Sequence, residues 1–151
     1  MDSKSVIKTL NDLIETCKDG EFGFRACAEH VKSSSLRETL GNRANDCRSA
    51  AAELQTIVSR LGGEPEDDGS VSGALERGWV SVRATLATRT DQAMLEECER
   101  GEDAALSRYR DALNGDDLPA DIRPIVERQY EGVKRNHAQI RSLRDQARSN
   151  A

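Results

Sequence analysis

Four polar residues stand where apolar ones are expected: Glu21, Arg43, Glu102 and Gln129 each interrupt an apolar stripe of helical period. Inward carboxylates on neighbouring helices are the donors a divalent metal or redox centre would use, because a buried carboxylate must be neutralised by a cation. The segment "ECERGED" at 97–103 poses the question most sharply. Alternating steps of three and four residues place Glu102 on the stripe, and Glu97, Glu99, Asp103 and Asp111 off it, in solvent.

Two chemistries fit these residues. In one, Arg43 forks between Glu21 and Glu102 while Gln129 adds its amide, giving a buried ion network that sets helix register without metal or cofactor. In the other, Glu21, Glu53, Glu102 and His137 hold iron. The first is the expected reading, since a guanidinium repels a dication. No catalytic residue follows from it. His30, near a helix end, suits the C-terminal dipole. Cys27 lies off the stripe and is the expected accessible thiol.

The elements that carry these residues are helices. Periodicity predicts them over 3–32, 36–61, 71–88, 90–113 and 119–148, with "SSS" at 33–35 turning the first into the second. Thr90 or Asp91 is placed to cap the fourth, and Pro119 to start the last. At about 1.5 Å per residue Glu21, Arg43 and Glu102 fall at similar heights above the first turn, provided that the short third helix returns the chain to that end. The apolar stripe of that helix, Leu75, Trp79, Val82 and Leu86, must cover the bundle or meet a second subunit. "GGEPEDDGS" at 62–70 lacks the alternating acids of a calcium loop and reads as a connection.

Composition bounds the rest. The chain has 151 residues, enough for one domain over 1–151, and only 3% aromatics. With 22 basic against 27 acidic residues and a net charge of −5, interspersed in sign, it carries no nucleic-acid or anionic-membrane footprint. No run approaches a membrane span and the N-terminus lacks a signal peptide, so the expected location is cytoplasmic. Four cysteines without Cys-x-x-Cys spacing suggest neither zinc site nor disulfide framework.

Two antiparallel hairpins joined by a crossover, with a short fifth helix between helices 2 and 3, is an all-α, four-helix-bundle architecture similar to that of ferritin-like proteins. The di-iron members combine a Glu from each of two helices with a Glu-x-x-His from each of the other two. No Glu here is followed three residues later by His. More specifically, "LNDLIETCKDGEFGF" at 10–24, "LGGEPEDDGSVSGALERGW" at 61–79, "ECERGED", "LP" at 118–119 and "ERQY" at 127–130 resemble a bacterial ferritin-like family catalogued as domain of unknown function 2383. The resemblance implies the bundle and supplies no activity. The expected function is a non-catalytic, self-associating bundle with a stress-associated or scaffold role and an unidentified protein partner; the alternative is a divergent metal-binding oxidoreductase handling iron, oxygen or peroxide.

Overall fold

In the computed structural model, which describes residues 3–66, 79, 82–88 and 90–149, five helices make up the described chain. They are α1 (Ser3–His30), α2 (Ser34–Arg60), α3 (Val82–Thr88), α4 (Asp91–Asn114) and α5 (Arg123–Ser149). A three-residue link folds α2 back along α1, and α5 returns along α4. α1 then packs on α4, joining the two hairpins into a four-helix bundle. Of the third predicted helix, only the part from Val82 onward and the isolated Trp79 fall within the described residues; Leu75 lies outside them.

Local signals set the boundaries. Ser33 caps α2 by accepting from the Leu36 amide, and Thr90 caps α4 by accepting from the Ala93 amide. Gly62, at φ +82°, takes the left-handed conformation after α2, so the amides of Gly62 and Gly63 reach the carbonyls of Ser59 and Val58. Pro119 opens a turn that accepts from Ile122 and Arg123, and α5 starts at Arg123, four residues later than the sequence suggests. A proline fixes φ at a first helical turn or a β-turn equally well, so its position alone does not choose.

Asp91 ties the hairpins together. Its two carboxylate oxygens accept from the backbone amides of Lys32 at 2.8 Å and Ser33 at 3.1 Å, in the α1–α2 link. The chain therefore does return to the first-turn end before α4 begins. Asp91→Ala leaves both amides without their partner and should lower unfolding free energy by about 1–2 kcal/mol. An unchanged urea midpoint would count against this tie.

Apolar side chains form two clusters along the bundle. One, around Leu10, Ile14, Leu54, Val58, Tyr109 and Val126, fills the end near the α4–α5 link. The other, around Phe24, Cys27, Leu40, Trp79, Met94 and Ile140, fills the opposite end. Between them lies a layer of polar side chains.

Trp79 belongs to the second cluster and is only 2% exposed, so it serves the chain's own core rather than a partner subunit. Its indole lies in a notch cut by two helical glycines: a Cβ on Gly23 would stand 2.2 Å from it, and one on Gly101 2.3 Å. Phe24 meets the ring edge-on at 5.1 Å.

Candidate functional site: a polar layer and thiol-lined cavity in the bundle centre

Arg43 projects from α2 into the core and clamps Glu102 of α4. Its Nε donates to Oε2 at 3.3 Å and its Nη2 to Oε1 at 3.0 Å, a two-pronged pair in which the carboxylate is 1% exposed. The face of Phe24 lies 5.4 Å from the guanidinium carbon, covering the cation with an aromatic ring. Burial raises the Glu102 carboxyl above the usual range, with Arg43 pulling the other way.

A second chain of bonds crosses the layer from α1 to α5. Tyr109, fully buried on α4, donates to Gln129 Oε1 at 2.8 Å, and Cys17 Sγ lies 3.2 Å from the same phenol oxygen. A phenol has one proton, so the thiol donates to the oxygen and the oxygen to the amide. Gln129 Nε2 then donates to Glu53 Oε1 at 2.7 Å and to the Ala50 carbonyl at 3.3 Å. Arg128 holds the other Glu53 oxygen at 2.5 Å. The chain thus runs from a buried thiol to a surface ion pair.

Between the two networks lies a cavity of about 370 Å³. Ala50 and Ala105 line it with small side chains, and Cys17 and Cys47 line it as well. Burial pushes the Cys17 thiol up to about 11, and raises that of Cys47 further. Both are neutral thiols at pH 7.

Not every residue expected here is present. Glu21 faces outward, beside Lys18 at 3.7 Å and Arg25 at 3.6 Å, because the buried step in α1 runs Cys17, Gly20, Phe24 rather than Cys17, Glu21, Phe24. Its height is right and its face is wrong. Glu53 is engaged at the rim, as above, and His137 Nε2 pairs with Asp103 Oδ1 at 2.6 Å. The alternative iron set of Glu21, Glu53, Glu102 and His137 therefore does not converge. Both Glu102 oxygens are already taken by Arg43. Among the described residues no three His, Cys, Asp or Glu side chains are grouped to hold a metal ion. These residues do not fit a di-iron centre.

Two further expectations are corrected. Glu97 is fully buried rather than solvated, and Arg100 donates to its Oε1 through Nε at 2.9 Å and Nη2 at 2.5 Å. The packing of α3 on α4 widens the covered arc of α4 beyond a two-residue seam. Cys27 is also fully buried and hydrogen-bonds with Cys98, so it is no accessible thiol. Of the remaining off-stripe acids, Glu99 is held by Arg144 and Arg141, while Asp111 is exposed. Periodicity treated Cys17, Cys47 and Tyr109 as ordinary core residues. Their place on the stripes beside the polar interruptions was the available signal.

The family model described as Domain of unknown function (DUF2383) matches residues 5–115. The chain belongs to that family. No curated protein matches the sequence. Solved structures share the fold. A point mutant of Dps1 from Mycobacterium smegmatis superposes with a TM-score of 0.77 at 14% identity, over 94% of this chain and 96% of that one. The bacterioferritin-related protein of Bacteroides fragilis, described as a dodecameric thioferritin, gives 0.75 at 16% identity, over 99% and 90%. The DUF2383 chain is thus a ferritin-like helical bundle, in which Arg43 stands across the helix layer.

Proposed function

We propose that this DUF2383 protein is a non-ferroxidase ferritin-like bundle that self-associates and acts as an assembly or interaction scaffold. The supporting observation is the two-pronged Arg43–Glu102 pair: a fixed cation in the bundle core repels a dication, and both oxygens of the inward Glu102 carboxylate are taken. The pair and the Tyr109–Gln129–Glu53 chain join α2 to α4 and α4 to α5, and α5 back to α2. Such a polar layer favours one helix register over its neighbours, a structural role.

Self-association rests on the fold's likeness to the dodecameric Bacteroides fragilis protein. Trp79 is already used inside the chain, so an assembly contact must come from other surfaces. Among the described residues no helix is long and apolar enough to cross a membrane.

Anaerobic loading with ferrous iron, desalting and elemental analysis tests the first part, with light scattering for the second. Iron well below one equivalent per chain and a discrete oligomer are expected. Stoichiometric iron that Glu102→Ala abolishes would favour the divergent oxidoreductase instead. A monodisperse monomer would remove the scaffold.

A further inference from the structure

The central cavity holds chemistry that a register-setting ion pair does not use. Cys17 and Cys47 both line it, on facing helices α1 and α2. Cys47 Sγ stands over Gly20, where an added Cβ would lie 2.8 Å away. Gly20 is one turn from Cys17 on the same helix face, and neighbouring positions of that kind have Cβ atoms about 5–6 Å apart. A linear ion bridging two sulfurs with bonds of about 2.3 Å asks for sulfurs about 4.6 Å apart, so the two thiols must turn toward each other across the cavity they share.

We propose that the cavity is a two-coordinate site for a soft, monovalent d10 cation, copper(I) in chemical class, bound between Cys17 and Cys47. Thiolate donors select copper(I), whereas zinc asks for four ligands and ferrous iron for harder donors. Two sulfurs suffice for a linear d10 ion. The binding step is Cu⁺ + 2 RSH → [RS–Cu–SR]⁻ + 2 H⁺, with copper staying monovalent and both protons leaving to solvent. It adds one negative charge to the layer. Arg43, whose field favours both thiolates, is the buried cation beside it. Asp19 and Glu102 oppose that charge. Asp46 and Glu53 also line the cavity, with Arg108 and Arg128. Loss of the Cys17 proton removes the thiol's bond to the Tyr109 oxygen, while Tyr109 keeps its own proton and still donates to Gln129, so the rest of the second network stands.

The test is anaerobic titration of the full chain with copper(I), buffered by a colorimetric copper(I) chelator. One copper per chain is expected. Cys17→Ser and Cys47→Ser should each weaken binding by more than about 100-fold, since even outer-shell changes cost 10–100-fold. Cys27→Ser/Cys98→Ser, at two residues that do not line the cavity, should bind like the wild type. Because two thiols must each lose a proton, affinity should rise about 100-fold per pH unit near neutrality. X-ray absorption of the copper-loaded wild type adds a readout that depends on no variant: two sulfur neighbours are expected. No copper bound, copper retained by Cys17→Ser/Cys47→Ser, or a copper shell of nitrogen and oxygen would overturn the site. Iron loading is read separately, so failure here leaves the scaffold reading standing, and the converse holds.

Discussion

Arg43→Leu should lower the unfolding free energy by about 3–5 kcal/mol at pH 7, among the largest single-substitution effects expected in this chain. The cost is not the lost Coulomb attraction alone. It is the Glu102 carboxylate left in the core with no cation, 1% exposed and cut off from water. Glu102→Leu on its own should cost a similar amount by stranding the guanidinium. Removing both charges should not: Arg43→Met/Glu102→Leu is expected within about 1 kcal/mol of the wild type, or above it, because apolar groups of similar volume need no partner. Urea denaturation of the four proteins closes the cycle, and a double variant as weak as either single one would contradict this account.

The pH dependence of that variant carries a sign. Burial already raises Glu102 above its unfolded value, and without Arg43 only the weaker field of His137 is left to hold it down. A carboxyl whose folded pKa is raised contributes stability below the unfolded pKa and loses it as pH rises through the folded one. Arg43→Leu should therefore regain part of its deficit on acidification from pH 7 towards pH 5, narrowing its gap to the wild type. A constant gap would show that Glu102 had found another partner.

The second large effect reverses an ordinary rule. Gly→Ala inside a helix normally stabilises by about 1 kcal/mol through propensity and unfolded-state entropy. Gly101→Ala should instead destabilise by about 2–3 kcal/mol, because its methyl would occupy space 2.3 Å from the Trp79 indole. Gly23 presses on the same ring from α1, so Gly23→Ala/Gly101→Ala should expel it altogether. The cost should then approach the about 3–5 kcal/mol of Trp79→Ala. The chain has a single Trp, so fluorescence reports the event directly: emission shifts to the red as the indole meets water. A stabilised Gly101→Ala with unshifted emission would mean that the notch does not hold the ring.

Much of the molecule was legible in its residues. Apolar spacing fixed four long helices, the cap at Thr90 and the hairpin break before Ser34, since backbone hydrogen bonding and burial of one face act over a few residues. Rise per residue also gave the height at which Arg43 and Glu102 meet, a one-dimensional quantity that needs only the direction of each helix. What rise cannot give is angular phase. In α1 the stripe can step from Cys17 to Gly20 or to Glu21, about 100° apart around the axis. Hydropathy is silent on glycine. The tertiary structure chose Gly20 because Cys47 needs the close approach that only a residue without Cβ allows. That choice turned Glu21 outward, beside Lys18 and Arg25, and dissolved the alternative iron set. It likewise decided that Glu97 and Cys27 are buried, since a third layer over α4 is invisible to a two-helix pattern. Residue pattern alone was enough for the four long helices, the break between α1 and α2 and the height at which Arg43 and Glu102 lie, though not for the start of α5. Only packing in three dimensions decided which charges share a cavity, because helix rotation is set by the shape of the neighbours.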